Sequence, residues 1–323
     1  MISVSKSCKN TGTDLRILQR DFPLGTDPKI FKLNITNFCN YSCIICPHNK
    51  ITKPKGFMSE ELFTTIVDRD MLPGQYVELF NYGEPFLYPW LADFCRILGE
   101  KDIQALISTN CSTGHNKVRD VLSNRNVRML LCLESLDSDI YRRITGGRLG
   151  KVLEFIDLVY THRSFDGQVT ILTVESQLNR DHSEKVRDVY GDKFPVVCRL
   201  SDSFGGNIDD RIVFDGEGDR PVARVPCIFP FVNCAVDWDG KVGWCCFDYN
   251  TPVPYGDMND NSLKEIWDGP VWTELRERHL ALDLQGTICE KCTGWRDVLY
   301  DKNLYHRLVD EDDDNYYYFV EDK

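Results

Sequence analysis

The sequence predicts an α/β fold with a parallel sheet, followed by a smaller cysteine-rich segment. Strand-like and helix-like stretches alternate between residues 30 and 200, with six strands in all. The fourth predicted strand, residues 127–133, is almost continuously apolar, as expected for a strand that is covered on both faces. The alternation stops near residue 205, where Gly and Asp become frequent, so we place the boundary between the two parts near residue 215.

Each predicted element follows from its local pattern. The strands are 30–35, 76–80, 103–107, 127–133, 169–174 and 195–200, and the helices are 59–70, 89–100, 115–122, 152–160 and 183–190. Ser59 is the predicted N-cap of the first helix. Because parallel sheets carry their chemistry at the carboxyl ends of the strands, the loops after these strands are the candidate functional site.

Composition and charge exclude several classes of protein. The net charge of −12 argues against a nucleic-acid partner, which would require a basic face. No apolar stretch approaches the ~20 residues of a membrane helix, and the first 20 residues lack the apolar run of a secretion signal. We therefore expect a cytoplasmic protein with an N-terminal extension, residues 1–28, and an acidic, tyrosine-rich tail, residues 301–323.

The 14 cysteines are many for a chain without an export signal, and three of them form a motif after the first predicted strand. Cys39, Cys43 and Cys46 have the spacing C-x3-C-x2-C. Three thiolates can bind three irons of a cubic iron–sulfur cluster, which leaves the fourth iron open to another ligand. By spacing alone, the same thiols could also bind zinc, with His48 as the fourth ligand.

A second group of cysteines lies in the C-terminal segment. Its members are Cys227, Cys234, Cys245, Cys246, Cys289 and Cys292. Asp239-Gly240 predicts a hairpin turn between two short strands, and Ser262 predicts the start of a helix. Four of these cysteines could bind an iron–sulfur cluster or a zinc ion.

The first motif resembles the signature of the radical S-adenosylmethionine superfamily. The resemblance implies a partial (β/α)6 barrel over residues 29–214, with a 4Fe-4S cluster at Cys39, Cys43 and Cys46. In this family, S-adenosylmethionine chelates the open iron, and one electron cleaves it to methionine and a 5′-deoxyadenosyl radical that abstracts hydrogen from a substrate. Ile45 departs from the family, in which many members have an aromatic residue before the third cysteine.

Further loops resemble the cofactor-binding motifs of this family. Asn81-Tyr82-Gly83-Glu84-Pro85 is similar to its Gly-Gly-Glu-type motif with one glycine replaced, and Thr109-Asn110 and Ser135-Leu136-Asp137 follow later strands. In the family such residues receive the ammonium of the methionine moiety or lie near the ribose and the carboxylate. The implied contacts of S-adenosylmethionine are Gly83, Glu84, Pro85, Thr109, Asn110, Ser135, Asp137 and Arg143.

Residues 215–300 resemble the SPASM extensions of the same superfamily, in particular the shortened form called Twitch. The matching positions are Cys227, Cys245, Cys289 and Cys292, spaced C-x17-C-x43-C-x2-C. The resemblance implies a second, auxiliary 4Fe-4S cluster at these four residues. Cys234 and Cys246 lie close enough in sequence to exchange roles with Cys227 and Cys245, so the assignment remains open there.

The resemblance implies an enzyme that abstracts hydrogen from an unknown substrate. Relatives dehydrogenate a small-molecule alcohol or modify a peptide, and the sequence does not choose between a small-molecule and a peptide substrate. A one-electron donor such as a flavodoxin or ferredoxin is the expected protein partner. The alternative is a non-catalytic iron–sulfur or zinc-binding module that transfers electrons or binds a partner on the same scaffold.

Overall fold

The structure is a computed structural model that describes residues 27–295, apart from residues 29, 210, 214–223, 225, 244, 246, 251–253 and 293. Most of the predicted N-terminal extension and all of the predicted acidic tail therefore lie outside the described residues. The predicted domain boundary at residues 214 and 215 lies outside them as well.

Six strands and their connecting helices form the first part of the chain, as the sequence predicts. In chain order the elements are β1 (Ile30–Leu33), α1 (Glu60–Asp70), β2 (Tyr76–Glu78), α2 (Leu91–Glu100), β3 (Gln104–Thr109), α3 (Val118–Leu122), β4 (Val127–Cys132), α4 (Ser138–Thr145), α5 (Leu149–His162), β5 (Val169–Glu175), α6 (His182–Tyr190) and β6 (Val196–Leu200). Ser59 caps α1, because its side-chain oxygen accepts a hydrogen bond from the backbone N–H of Leu62. The sequence did not predict α4.

The six strands are parallel and lie side by side in sequence order. Their side chains alternate between the two faces of the sheet. The helices pack on one face and enclose the main core, where the rings of Phe63 and Phe94 stack at 3.6 Å. A smaller apolar cluster of Leu106, Leu130 and Leu172 lies on the opposite face. All six strands therefore end at one edge, which positions the loops after them around a common mouth.

The C-terminal segment extends the same sheet. Its elements are α7 (Phe229–Val232), β7 (Asn233–Val236), β8 (Lys241–Gly243), β9 (Gly256–Asp257), α8 (Leu263–Trp267) and α9 (Pro270–Ala281). Strand β7 pairs in parallel with β1, with Phe31 opposite Cys234 and Leu33 opposite Val236. The described strands form one nine-stranded sheet in the order β6-β5-β4-β3-β2-β1-β7-β8-β9. The second part is therefore joined to the first through backbone hydrogen bonds.

The local predictions for the C-terminal segment are confirmed. Strands β7 and β8 form an antiparallel hairpin whose turn contains Asp239 and Gly240, and Gly240 has a φ of +86°. Ser262 and Glu265 form a capping box at the start of α8. Helix α9 was not predicted. No helix among the described residues is long and apolar enough to cross a membrane.

Candidate active site and cluster-binding sites

The loop after β1 brings the thiols of Cys39, Cys43 and Cys46 near one another. Burial raises the pKa of Cys43 well above its ordinary value, and the charges of Glu134, Cys46 and Cys39 raise it further. Burial likewise raises the pKa of Cys46 to about 12. All three thiols have raised pKa values, so they ionise readily only when a positive group binds them, which suits iron ligands. Among the described residues, no three His, Cys, Asp or Glu side chains are close enough to bind one and the same metal ion, whereas in a cubic cluster each thiolate binds a different iron.

One ring nitrogen of His48, the candidate zinc ligand of the sequence analysis, contacts the backbone. Its Nε2 lies 3.0 Å from the backbone oxygen of Asn37, and the ring is buried. Burial lowers the pKa of this imidazole, so the neutral form is favoured. The contact holds the short helical turn Pro47–Lys50 against the chain that leads into Cys39.

The loop after β2 docks directly on the cysteine loop. The backbone N–H of Glu84 donates to the carbonyl oxygen of Phe38 at 2.8 Å. A Cβ atom at Gly83 would lie only 1.9 Å from the carbonyl oxygen of Thr36. Glycine is thus required here because two backbones touch, immediately before Cys39. Pro85 opens the turn Pro85–Leu87 that follows.

Glu84 ties the loop after β2 to the loop after β3. Its Oε1 accepts hydrogen bonds from Thr109 Oγ1 at 2.8 Å and from the N–H of Phe86 at 3.0 Å, and its Oε2 accepts one from the N–H of Asn110 at 2.7 Å. Burial raises the pKa of the carboxyl to about 7, although these three donors oppose the rise. The structure therefore brings Glu84, Thr109 and Asn110 together, with a positioning role for Glu84 between two strand ends.

Asn110 extends this network to the cluster loop. Its Nδ2 lies 3.8 Å from Cys39 Sγ and donates to Asn40 Oδ1 at 3.0 Å. Its Oδ1 accepts from the hydroxyl of Ser112 at 2.6 Å, and Ser112 Oγ in turn accepts from Asn40 Nδ2 at 2.8 Å. The ends of β1, β2 and β3 are thus connected around the first cysteine.

The remaining predicted cofactor contacts have other surroundings. Ser135 is fully buried and lies 2.8 Å from Nδ1 of His182. Asp137 is exposed and caps α4, because its carboxylate accepts from the N–H groups of Asp139 and Ile140. Arg143 is exposed on the same helix. The structure does not bring these residues into the Glu84 network.

The sequence analysis assigned no role to Glu134, which the structure places at the mouth. It is buried just beyond β4, and burial raises its pKa to about 7. Its charge acts on the thiols of Cys43, Cys111 and Cys132. Its position at a strand end was the only signal available in the sequence.

The four cysteines predicted for the second cluster line one cavity. Cys227, Cys245, Cys289 and Cys292 share this cavity with largely apolar neighbours, which include Phe229, Pro230, Phe247, Ile288 and Trp295. Burial raises the pKa of Cys289 and of Cys292 to about 12, so these thiols also need a bound cation to ionise. An enclosed apolar space ringed by four thiols fits a cluster with no open iron.

The other two candidate ligands for this site are Cys234 and Cys246. Cys234 is fully buried in the main core, where Asp70 and Arg276 are its charged neighbours. It does not line the cavity. Cys246 lies outside the described residues.

Two contacts connect segments that lie near the two cysteine sites. The N–H of Thr52, beyond the first cysteine loop, donates to Asn250 Oδ1 at 2.8 Å. The rings of Tyr82 and Tyr249 meet edge to face at 5.7 Å. The segment after the first cysteine motif and the loop after β2 therefore both contact the two residues Tyr249 and Asn250, which follow Cys245.

Comparisons with protein families match both parts of the chain. A model described as the radical SAM superfamily matches residues 33–184, and a model of the SPASM iron-sulfur cluster-binding domain matches residues 227–293. The tungsten-containing aldehyde ferredoxin oxidoreductase cofactor-modifying protein of Pyrococcus furiosus is 23% identical over 296 residues. That match covers 77% of this chain and 83% of the relative.

Solved structures share the fold at low sequence identity. BtrN in complex with AdoMet and 2-DOIA aligns with a TM-score of 0.56 at 16% identity, over 83% of this chain and 94% of that chain. Native anSMEcpe with bound AdoMet aligns with a TM-score of 0.57 at 16% identity, over 90% and 93%. Streptococcus suis SuiB bound to the precursor peptide SuiA aligns with a TM-score of 0.54 at 13% identity, over 90% and 75%.

Proposed function

The chain belongs to the radical S-adenosylmethionine superfamily and carries a SPASM domain, and from this premise we propose that it abstracts a hydrogen atom from a small molecule or a peptide. When bound, S-adenosylmethionine and the 4Fe-4S cluster supply a 5′-deoxyadenosyl radical, formed with methionine by one-electron cleavage of the sulfonium bond. The observation that carries the proposal is the three-cysteine loop at the mouth of the parallel sheet, tied to Glu84 and Asn110.

The residues of this loop have distinct roles in the proposal. Cys39, Cys43 and Cys46 hold three irons and leave the fourth for the cofactor. Glu84 and Asn110 keep the neighbouring loops at a constant position relative to Cys39.

We propose Gly83, Pro85 and Thr109 as part of the wall that binds the cofactor, because they belong to the same connected loops as Glu84. Backbone carbonyl groups of the loop after β2 are the candidate acceptors for the cofactor's ammonium, since both oxygens of Glu84 already accept hydrogen bonds from the protein. The cofactor contacts proposed for Ser135, Asp137 and Arg143 receive no support from their buried, capping and exposed positions.

Two kinds of substrate remain in the proposal. The BtrN structure contains the small molecule 2-DOIA, and the SuiB structure contains the precursor peptide SuiA. At 13–16% identity, these two structures support the shared fold alone. They do not indicate whether the substrate of this chain is a small molecule or a peptide.

The auxiliary cluster at Cys227, Cys245, Cys289 and Cys292 is proposed either to take an electron from the substrate or to anchor the substrate. A flavodoxin or ferredoxin is the proposed electron donor for the first cluster. Phe38, next to Cys39, is 36% exposed, so a donor could approach the cluster loop from this side.

The experiment is a measurement of 5′-deoxyadenosine by anaerobically reconstituted protein with S-adenosylmethionine and dithionite. The wild type should form this product and hold about eight irons, as expected for two cubic clusters. Cys43→Ala should form none and hold about four irons. Cys95→Ala, which changes a buried thiol in α2, is the matched control and should behave like the wild type.

The outcomes separate the proposal from the alternative of a non-catalytic module. Wild-type protein with both clusters intact that forms no 5′-deoxyadenosine, in the presence or absence of candidate substrates, would contradict the enzymatic proposal. Zinc in place of iron at the C-terminal site would contradict the auxiliary cluster.

A further inference from the structure

Arg224 lies on the wall of the cavity that the four C-terminal cysteines line. Its Nη1 donates to the carbonyl oxygen of Cys292 at 2.8 Å, and its Nη2 donates to that of Cys289 at 3.1 Å. The guanidinium also lies over the ring of Trp295 at 5.0 Å from the centroid. The guanidinium of Arg224 thus binds the backbone of the turn between Cys289 and Cys292, and it lines the same cavity as the thiols.

The third nitrogen of this guanidinium has an unused donor. Arg224 Nε is buried and has no hydrogen-bond acceptor within the part of the chain that the structure describes. A buried donor on a charged group without a partner destabilises the fold, because the donor has lost its hydrogen bonds to water. The adjacent cavity is the place where an acceptor would remove this cost.

The charges around the cavity are of both signs. Asp248 is a charged neighbour of Cys289, and Asp202 is one of Cys292. Arg224 is a charged neighbour of both cysteines and of Cys227. The arginine therefore opposes the two carboxylates at the point where negative charge would accumulate.

We propose that Arg224 is a positioning residue for the auxiliary cluster, with its Nε–H donating to a sulfur atom of the cluster and its charge stabilising the reduced state. The inference rests on the auxiliary cluster of the proposed function. Net charge, hydrogen bonds to sulfur and exposure to solvent set the reduction potential of such clusters. Removing Arg224 removes one positive charge and one donor, so the reduction potential should fall.

Arg276 provides a matched control within the same part of the chain. It is buried, donates from Nε to the carbonyl oxygen of Pro230 at 3.1 Å and from Nη1 to that of Trp267 at 3.0 Å, and lies over the Trp267 ring at 4.2 Å. It does not line the cysteine cavity. Arg276→Met therefore removes a similar set of structural contacts without changing the wall of the cavity.

The test is a redox titration of the full chain monitored by electron paramagnetic resonance. The parent is the Cys43→Ala protein, in which the auxiliary cluster is the expected source of the signal. Arg224→Met should shift the ratio of oxidised to reduced cluster at least tenfold toward the oxidised form at a given potential, which is a fall of 59 mV for one electron. In Arg276→Met, the ratio of oxidised to reduced cluster at the same potential should stay within threefold of the ratio in the parent.

Iron content separates the possible failures. About four irons in the parent confirm the auxiliary cluster, and their absence would overturn both the proposed cluster and this inference. Intact iron with an unshifted midpoint in Arg224→Met, or equal shifts in Arg224→Met and Arg276→Met, overturns the inference alone. If Arg224→Met loses its iron, the titration is repeated with Arg224→Gln, which keeps an amide donor for the backbone carbonyls. The same tenfold shift in the ratio of oxidised to reduced cluster is then required.

Discussion

Replacement of Gly83 by alanine tests whether the docking of the second loop on the cluster loop determines cluster binding. The added Cβ would lie 1.9 Å from the carbonyl oxygen of Thr36, whereas ordinary contact begins at 3.4 Å. The two backbones must therefore separate by about 1.5 Å, the difference between those distances. Such a movement would stretch the 2.8 Å hydrogen bond between Glu84 N and Phe38 O beyond bonding distance.

The cost follows from the lost hydrogen bond and from the strain. Loss of the hydrogen bond costs about 0.5–1.5 kcal/mol, and overpacking against backbone costs about 1–3 kcal/mol. We expect the free energy of unfolding of Gly83→Ala to fall by about 2–4 kcal/mol, with a decrease in Tm of roughly 5–10 °C. Because Phe38 directly precedes Cys39, we also expect part of the iron at the first cluster to be lost.

The assay is thermal unfolding of the iron-free protein, combined with iron analysis after reconstitution. Gly150→Ala is the control, because Gly150 lies in α5 with nothing within 4 Å of the added Cβ. Alanine should stabilise that helix by about 0.5–1 kcal/mol. Unchanged Tm and iron content in Gly83→Ala would refute the argument that the backbone contact holds the cluster loop.

Three further variants test other parts of the structure. Burial raises the pKa of Glu134 from 4.5 to about 7, so the folded state favours the protonated form and wild-type stability should fall as pH rises from 4.5 through 7, by on the order of 3 kcal/mol when ionisation is complete. Glu134→Gln should flatten this dependence in unfolding experiments at pH 5 and 8, and equal slopes in both proteins would contradict the assignment. Cys227→Ala should lose about four irons per chain, whereas Cys234→Ala should keep them and lose only core packing. Loss of iron in Cys234→Ala would show that the cavity has been assigned to the wrong cysteine.

Much of the first part of the fold could be predicted, because its signals are local. The alternation of apolar strands and helices predicts six parallel strands, and Ser59 marks the start of α1. The family matches confirm the resemblance that the cysteine spacing indicated. Helix α4 was missed because Asp137, its N-cap, belongs to a segment that resembles a cofactor-binding motif.

The parts that could not be predicted depend on contacts between distant residues. Strand β7 has only four residues, and nothing in them specifies β1 as the partner. Helix α9 buries Arg276 and His279 beside its apolar residues, which hides its buried face from a hydrophobic pattern. Spacing could not distinguish Cys227 from Cys234, whereas the structure places Cys234 in the main core and Cys227 at the cavity. Arg224 belongs to no motif, so only the fold reveals its position.

The pairing of β1 with β7 also constrains the order in which the protein can mature during synthesis. Strand β1 ends at Leu33, and its neighbour β7 is complete only at Val236. At about 5–20 residues per second, the ribosome needs about 10–40 s to make the intervening chain. Until then the strand that leads into the cysteine loop lacks one of its two neighbours, and pairing over such a distance in sequence is slow. Delivery of iron to a finished site should therefore follow release of nearly the whole chain.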